Sequence, residues 1–148
     1  MTSQFTMNRK HPTIDKSLDI SQHEQRATYH LIQAQQILLL KAGEKDGEYA
    51  RVRYVKMAAR IAFNAILVAI DSYLKARQTA IVKRPKSIED YRKRVAEYNQ
   101  QLHGLLNAAY GELYLSGYYH GNPSKLLMAR GLATAYEILI CIRNSSEI

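Results

Sequence analysis

The chain has 148 residues, 47% of them hydrophobic, and a single domain of this size buries roughly 70% of the surface that its unfolded chain exposes. Its 21 lysines and arginines outnumber 13 aspartates and glutamates, and the net charge of +8 attracts anionic partners without specificity. The one cysteine, Cys141, lies in an apolar run, which excludes a disulfide framework or a cysteine-based metal site within one chain.

The beginning of the sequence is polar and lacks the apolar stretch of a secretory signal. We predict a loose arm over residues 1–20, one helical domain over residues 21–148 and a cytoplasmic location. The longest apolar-rich stretch, from Met57 to Ile70, is shorter than the roughly 20 residues of a membrane span. It therefore predicts a buried helix, and we expect no membrane partner.

Two long helices are predicted in the first half of the chain. The first begins at Ser21, where Ser21 and Glu24 have the spacing of a capping box, and ends at Gly43, because glycine tolerates a positive φ. The second runs from Asp46 to Gln78. Its apolar residues alternate steps of four and three and form one seam: Val55, Ala59, Ala62, Ile66, Ala69 and Tyr73.

Two more helices are predicted in the second half. Ser87 opens the third, and its apolar seam also repeats at helical spacing: Ile88, Tyr91, Val95, Tyr98, Leu102, Leu105 and Ala109. The glycines from Gly104 to Gly117 predict a break before His120, because glycine weakens a helix interior. The fourth begins at Asn122 and Pro123, with an inner stripe of Met128, Leu132, Ala135, Leu139 and Ile142.

No segment alternates with a period of two, so no sheet is predicted. The predicted fold is all-α: an up-and-down antiparallel four-helix bundle whose third helix is broken near Gly104–Gly117.

A narrow polar stripe crosses the apolar second helix and includes Arg60, Asn64 and Asp71. Either this stripe faces water, as one strip of every bundle helix does, or it lines an interior groove. In the second case Arg60 and Asn64 are candidate anion-binding residues and Asp71 is their charge partner.

The five histidines form no HExxH motif and no pair with a carboxylate at ligand spacing, and there is no glycine-rich phosphate loop. The sequence therefore predicts no catalytic residue, no metal site and no cofactor.

A basic stretch between the second and third helices is a candidate for binding nucleic-acid phosphates: Lys83, Arg84, Lys86, Arg92, Lys93 and Arg94. Tyr73 and Tyr91 flank it and are candidates for stacking on bases. The alternative is a solvated loop whose tyrosines belong to the core.

Tyr110, Tyr114 and Tyr118 recur at every fourth position and share one helix face. That face is a candidate core, ligand wall or subunit contact, and aromatic rings with polar tips favour a homodimer. The stretch LSGYYHGNP that follows predicts a structural corner, in which His120 is the one residue whose role stays open.

The second helix, with its run YVKMAARIAFNA from Tyr54 to Ala65, resembles the alanine-rich helix of HEPN-like domains. The resemblance implies a bacterial helical bundle, often dimeric, that acts as a ribonuclease or beside a nucleotidyltransferase. The ribonuclease signature of that family is an arginine followed, after four to six residues, by a histidine. Arg130 fits, but Tyr136 stands where the histidine belongs, which implies a non-catalytic member. The chain is also similar to small uncharacterised bacterial helical-bundle proteins, a resemblance that implies no activity.

From these patterns we expect a non-enzymatic interaction or ligand-binding module that forms a homodimer and has a possible RNA or protein partner. The alternative is an RNA-binding or ribonuclease-like protein of the HEPN type. The candidate ligand-binding residues are Arg60, Asn64, Asp71, Tyr114, Tyr118, His120, Arg130 and Tyr136.

Overall fold

The computed structural model describes residues 20–77 and 83–146 and is mostly helical, as predicted. Its elements in chain order are α1 (Ile20–Leu40), β1 (Glu44–Lys45), β2 (Glu48–Tyr49), α2 (Val52–Arg77), α3 (Ile88–Tyr98), α4 (Gln100–Ala109), a π-helix (Tyr110–Tyr119) and α5 (Lys125–Ser146). Residues 1–19 of the predicted arm and Gln78, the predicted last residue of the second helix, lie outside the described residues.

The prediction that the chain forms no sheet is wrong. Strands β1 and β2 pair antiparallel, with Glu44 opposite Tyr49 and Lys45 opposite Glu48. The two residues between them, Asp46 and Gly47, both have a positive φ, of 55° and 81°. Asp-Gly favours a two-residue hairpin turn because both central residues must adopt this conformation.

Helix α2 lies at the centre of the fold. It begins at Val52, because the hairpin occupies the residues that were predicted as its first turn. All six residues of its predicted seam are buried: Val55, Ala59, Ala62, Ile66, Ala69 and Tyr73. Helices α1 and α5 and the π-helix pack around it.

The predicted third helix is interrupted at Asn99, not near Gly104–Gly117. Asn99 has extended backbone angles (φ −157°), and its side-chain oxygen caps α4 by accepting a hydrogen bond from the amide of Leu102. Its side-chain nitrogen donates to Ser145 Oγ, 3.0 Å away on α5. Of the predicted seam, Tyr98 is 42% exposed and Leu105 is half-buried, whereas the neighbouring Leu106 is buried.

The glycine-containing segment that was predicted to break is instead a continuous π-helix. A π-helix closes i→i+5 hydrogen bonds and is wider than an α-helix. Gly117 is buried within it, and a Cβ atom there would lie 2.6 Å from Ala59 Cβ on α2. The glycine therefore allows a close approach between these two helices.

Helix α5 begins at Lys125 and is capped by Ser124, two residues after the predicted cap at Asn122. Ser124 Oγ accepts a hydrogen bond from the Leu127 amide at 3.2 Å, whereas Asn122 Oδ1 accepts one from the Ser124 amide. The predicted inner stripe of α5 is buried as expected: Met128, Leu132, Ala135, Leu139 and Ile142. The thiol of Cys141 is also buried, and burial raises its pKa.

Helices α1 and α5 lie side by side in opposite directions. Near the start of α1, Glu24 Oε2 accepts a hydrogen bond from Arg143 Nη2 at 2.6 Å. Farther along, Gln35 Oε1 accepts one from the Tyr136 hydroxyl at 2.9 Å. Residues of higher number on α1 therefore lie beside residues of lower number on α5, as in an antiparallel pair. A groove remains between the two helices beside the hairpin.

Candidate functional site

An open groove of about 770 Å³ lies between the C-terminal half of α1, the hairpin and the N-terminal half of α5. Most of its lining is apolar or small, with Leu38, Leu39, Ala129, Leu132 and Ala133 among the lining residues. Pockets that hold small molecules have volumes of roughly 300–1,000 Å³, so this groove is large enough to bind another molecule.

Polar side chains lie at the two ends of the groove, and at each end two of them form a hydrogen-bonded pair. At one end the Tyr136 hydroxyl donates to Gln35, and at the other Lys125 Nζ donates to Glu44 Oε1 at 2.6 Å. Lys125 Nζ also lies 5.6 Å from the centre of the Tyr49 ring. Burial raises the pKa of Tyr136 and of Tyr49, so both phenols stay protonated at neutral pH.

The apolar surface continues beyond the groove. Large apolar side chains on α1 and α5 are well exposed, among them four that we consider further: Ile32 (43%), Leu39 (80%), Leu126 (64%) and Ile140 (47%). Ile32 and Leu39 are seven residues apart, which places them on the same face of α1. We call the surface formed by these four residues together with Ala129, Ala133 and Tyr136 the α1/α5 face.

Asp71, one of the predicted site residues, lies in a different part of the molecule. It is 3% exposed, and its Oδ1 accepts a hydrogen bond from the Tyr91 hydroxyl at 2.8 Å. Its Oδ2 lies 3.3 Å from Arg84 Nε, in an ion pair and not a well-formed hydrogen bond. Burial raises the pKa of Asp71 to about 6, against the lowering effects of Tyr91 and then Arg84. This network connects α2 to α3 and to the segment before it.

The polar stripe of α2 is divided between two environments. Arg60 is exposed, Asn64 is half-buried and Asp71 is buried. Arg60 and Asp71 lie within about 20° on the helix, but Asp71 lies in the C-terminal half of α2, where Tyr91 of α3 donates a hydrogen bond to its carboxylate. The three residues therefore do not meet in one groove.

The arginines of the predicted nucleic-acid stretch are bonded within the protein. Arg84 pairs with Asp71, and Arg92 pairs with Glu89 at 3.1 Å. Arg94 binds Asp90 at 3.0 Å and also donates to the Lys83 carbonyl. The lysines of the stretch are exposed: Lys83, Lys86 and Lys93.

The two tyrosines that flank this stretch belong to the core. Tyr73 is 1% exposed and Tyr91 is 0% exposed. Neither ring has a face available to a nucleic-acid base, so of the two alternatives left by the sequence the one that assigns these tyrosines to the core is confirmed.

The three tyrosines predicted on one helix face form a ladder along the π-helix. The ring centres of Tyr110 and Tyr114 are 5.2 Å apart with planes 15° from parallel, and those of Tyr114 and Tyr118 are 5.6 Å apart. Tyr114 also contacts Phe63 of α2, at 5.8 Å between ring centres, and is only 4% exposed. The middle of the ladder thus packs on the core.

The remaining predicted residues are distributed over the end of the π-helix and α5. His120 is exposed, and its ring packs edge-on against Tyr119 at 5.1 Å. Its amide donates to the Leu115 carbonyl, so it occupies the expected structural corner. Arg130 is exposed on α5, and Tyr136 alone among the predicted residues lines the groove.

The residues of the α1/α5 face other than Tyr136 were not predicted from the sequence. A signal was present in α5, whose apolar residues outside the inner stripe recur at steps of three, four and seven: Leu126, Ala129, Ala133 and Ile140. A second apolar stripe on a helix indicates a second surface that excludes water.

Over residues 20–77 and 83–146, no three histidine, cysteine, aspartate or glutamate side chains cluster as a metal site. Helix α2 is long and apolar enough to cross a membrane, but 72% of its most apolar window is buried inside the fold. The core helix of a soluble protein has the same properties, so the length of α2 is weak evidence for a membrane span.

Comparisons with known proteins place the chain in a family. No curated protein matches it. Among solved structures, it is similar to a protein of unknown function from Dyadobacter fermentans, with 25% sequence identity and a TM-score of 0.76 over 86% of this chain and 98% of that chain. Residues 22–144 match the family described as "Domain of unknown function (DUF5618)". Because this match spans most of the sequence, the chain belongs to the DUF5618 family.

Proposed function

We propose that this protein is a non-enzymatic interaction module, and that its α1/α5 face binds an apolar helix of a partner protein. The observation that carries the proposal is the exposure of large apolar side chains on α1 and α5, of which Leu39 lines an open groove. Contiguous exposed apolar surface on a folded protein marks a site of interaction. A partner helix laid between two helices buries such side chains at helical spacing.

The shape of the face favours a protein partner over a small molecule. Leu126 and Ile140 are 14 positions apart in the sequence, which is about 20 Å along α5. That distance exceeds the length of a typical small ligand but equals about four turns of a helix. In addition, the polar groups at the groove ends are already bonded to each other, whereas a small-molecule site uses convergent polar groups to orient its ligand.

The proposal includes the scaffold. We take the helices to form an up-and-down four-helix bundle, in which α3, α4 and the π-helix together take the place of the third helix. Residue pairs such as Ala59 with Gly117 support this arrangement. So does the antiparallel pairing of α1 with α5.

The alternative, an RNA-binding or ribonuclease-like protein of the HEPN type, receives less support. Arg84, Arg92 and Arg94 are bonded within the chain. Tyr136 stands where the catalytic histidine of that family belongs. Its hydroxyl donates a hydrogen bond to Gln35. Filter binding to single-stranded RNA at low salt tests this alternative. Tight binding that weakens as salt rises would favour it over an apolar interaction.

Site-specific photo-crosslinking tests the interaction module. A photoreactive phenylalanine analogue is placed at Leu126 in one sample and at Lys93, an exposed residue of α3, in the control. We expect cross-links from position 126 only, to a peptide whose apolar residues have helical spacing, and their loss when Ile140 is changed to Glu. Equal yields from both positions, or none from position 126, would contradict the proposal.

A further inference from the structure

The exposed side of α5 has an arrangement of residues that is symmetric about Ala133. Leu126 stands seven residues before Ala133 and Ile140 seven residues after it, and both are large, apolar and exposed. Seven residues are close to two turns, so Leu126 and Ile140 each lie within about 20° of Ala133 on one face of the helix. A two-fold axis beside Ala133 would therefore place Leu126 of one chain opposite Ile140 of another.

Two opposite charges on this side of α5 are centred within half a residue of Ala133. Arg130 lies three residues before Ala133 and Glu137 four residues after it, and both are exposed. They share one flank of the helix but are about 10 Å apart along its axis, too far to pair within one chain. In an antiparallel pair of α5 helices, Arg130 of each chain comes beside Glu137 of the other.

The small residues allow the two helices to approach closely. Ala133 would face its own copy at the axis. On the flank that lines the groove, Tyr136 would lie over Ala129 of the second chain, so a large ring meets a small side chain. A surface that complements itself in shape and in charge is the requirement for a two-fold symmetric dimer.

We infer that the helix bound by the α1/α5 face is α5 of a second copy of this chain, packed antiparallel about a two-fold axis at Ala133. This inference rests on the proposed interaction module and specifies its partner. It places the homodimer contact on α5 and not on the tyrosine ladder, whose central residue, Tyr114, is buried against Phe63.

Sedimentation equilibrium of the full chain tests the inference through a charge-reversal cycle. We expect the unmodified protein to dimerise. Arg130→Glu or Glu137→Arg alone should weaken dimerisation by about tenfold or more, because each variant creates two pairs of like charges across the two-fold interface. The double variant Arg130→Glu with Glu137→Arg restores opposite charges and should dimerise within about threefold of the unmodified protein. Lys93→Glu, which changes the net charge as much as Arg130→Glu but lies on α3, is the matched control and should have no effect.

Far-ultraviolet circular dichroism of each variant verifies that the fold is retained. A monomeric unmodified protein, or a dimer that is insensitive to all three α5 variants, overturns the inference. The proposed interaction module is judged separately by the cross-links from position 126. If these reach a different protein, the module stands and the second copy is rejected, whereas the absence of all cross-links rejects both.

Discussion

The hydroxyl of Tyr91 donates a hydrogen bond of 2.8 Å to the carboxylate of Asp71 in the interior of the protein. The two residues lie on different helices, and both are almost fully buried. Because burial opposes the charged form, it raises the pKa of Asp71 to about 6, and it also raises the pKa of Tyr91. Burial of the Asp71 carboxyl thus gives the protein a stability that depends on pH.

We predict that Asp71 makes the protein more stable at mildly acidic pH than at neutral pH. The folded-state pKa, about 6, is above the unfolded value of about 3.9. The folded state therefore binds the proton more tightly, so its stabilising contribution is fully present below the unfolded pKa and is lost as pH rises through about 6. Urea unfolding of the unmodified protein and of Asp71→Asn at several pH values measures this effect.

The difference in free energy of unfolding between these two proteins should shift by about 1 kcal/mol in favour of the unmodified protein from about pH 7 to about pH 5. Asp71→Asn is a suitable reference because its side chain has a similar shape and can still accept a hydrogen bond from the Tyr91 hydroxyl. A difference that stays constant with pH, or that shifts in the opposite direction, contradicts the prediction.

Tyr91→Phe should lower the free energy of unfolding by about 1–3 kcal/mol, because it leaves a buried carboxylate oxygen without its hydrogen bond. It should also raise the pKa of Asp71 further, since this bond lowers the pKa in the unmodified protein. Urea unfolding at neutral pH measures the first effect and a pH series measures the second. Tyr98→Phe is the control, because Tyr98 is 42% exposed. Equal losses in the two variants would show that the buried hydrogen bond has no special role.

Gly117→Ala should destabilise the protein by about 1–3 kcal/mol, because there is no room for the added methyl group. That methyl would lie 2.6 Å from Ala59 Cβ and 3.1 Å from Met128 Cε. The control is Gly104→Ala, where nothing lies within 4 Å of the added atom. In the exposed helix interior at Gly104 the same substitution should stabilise by about 0.5–1 kcal/mol. Thermal unfolding should therefore give shifts of opposite sign, and shifts of the same sign would refute this account.

Gly47→Ala should destabilise the hairpin by about 1 kcal/mol through backbone conformation alone. The φ of Gly47 is 81°, which alanine adopts with strain, and nothing lies within 4 Å of the added atom. Glu48→Ala, in the exposed strand next to it, should have almost no effect on the thermal midpoint. If Gly47→Ala is as mild as this control, the turn does not require glycine.

The sequence predicted the buried faces of the helices because helical periodicity is a local property. The residues of the α2 seam, from Val55 to Tyr73, are all buried, as their alternating spacing predicts. The cap at Ser87 is likewise confirmed, since its Oγ accepts a hydrogen bond from the Asp90 amide. In both cases the information lies within a few turns of one helix.

The hairpin was missed although its signal is local. Asp46-Gly47 is a strong hairpin dipeptide, but each strand has only two residues, too few to show alternation between apolar and polar residues. A search for alternation alone cannot detect such short strands.

The interruption of the third helix lies at Asn99, whereas the glycines predict it farther along the chain. The capping preference of Asn99 was the better signal. Asn99 is a favourable cap, and its bond to Ser145 connects residues 46 positions apart. Only the folded structure reveals that partner. Of the glycines that follow, Gly117 is required for the close contact between the π-helix and α2, whereas a Cβ atom at Gly111 would meet nothing within 4 Å.

The candidate site could be predicted only in part for a similar reason. Tyr136 was identified, but the α1/α5 face exists only because α1 and α5 lie side by side. Leu39 and Leu126 are far apart in the sequence, and the exposure of each depends on tertiary packing. The leftover apolar stripe of α5 was the one feature of this face visible before folding.

The bonds to Ser145 hold one end of the molecule together. Asn99, between α3 and α4, donates to its hydroxyl, and Arg77, at the end of α2, donates to its carbonyl at 2.7 Å. Two parts of the chain thus meet at a residue that the ribosome adds after both of them. During synthesis α2, α3 and α4 are complete while this end of the molecule is still open, and it closes only when the last turn of α5 arrives.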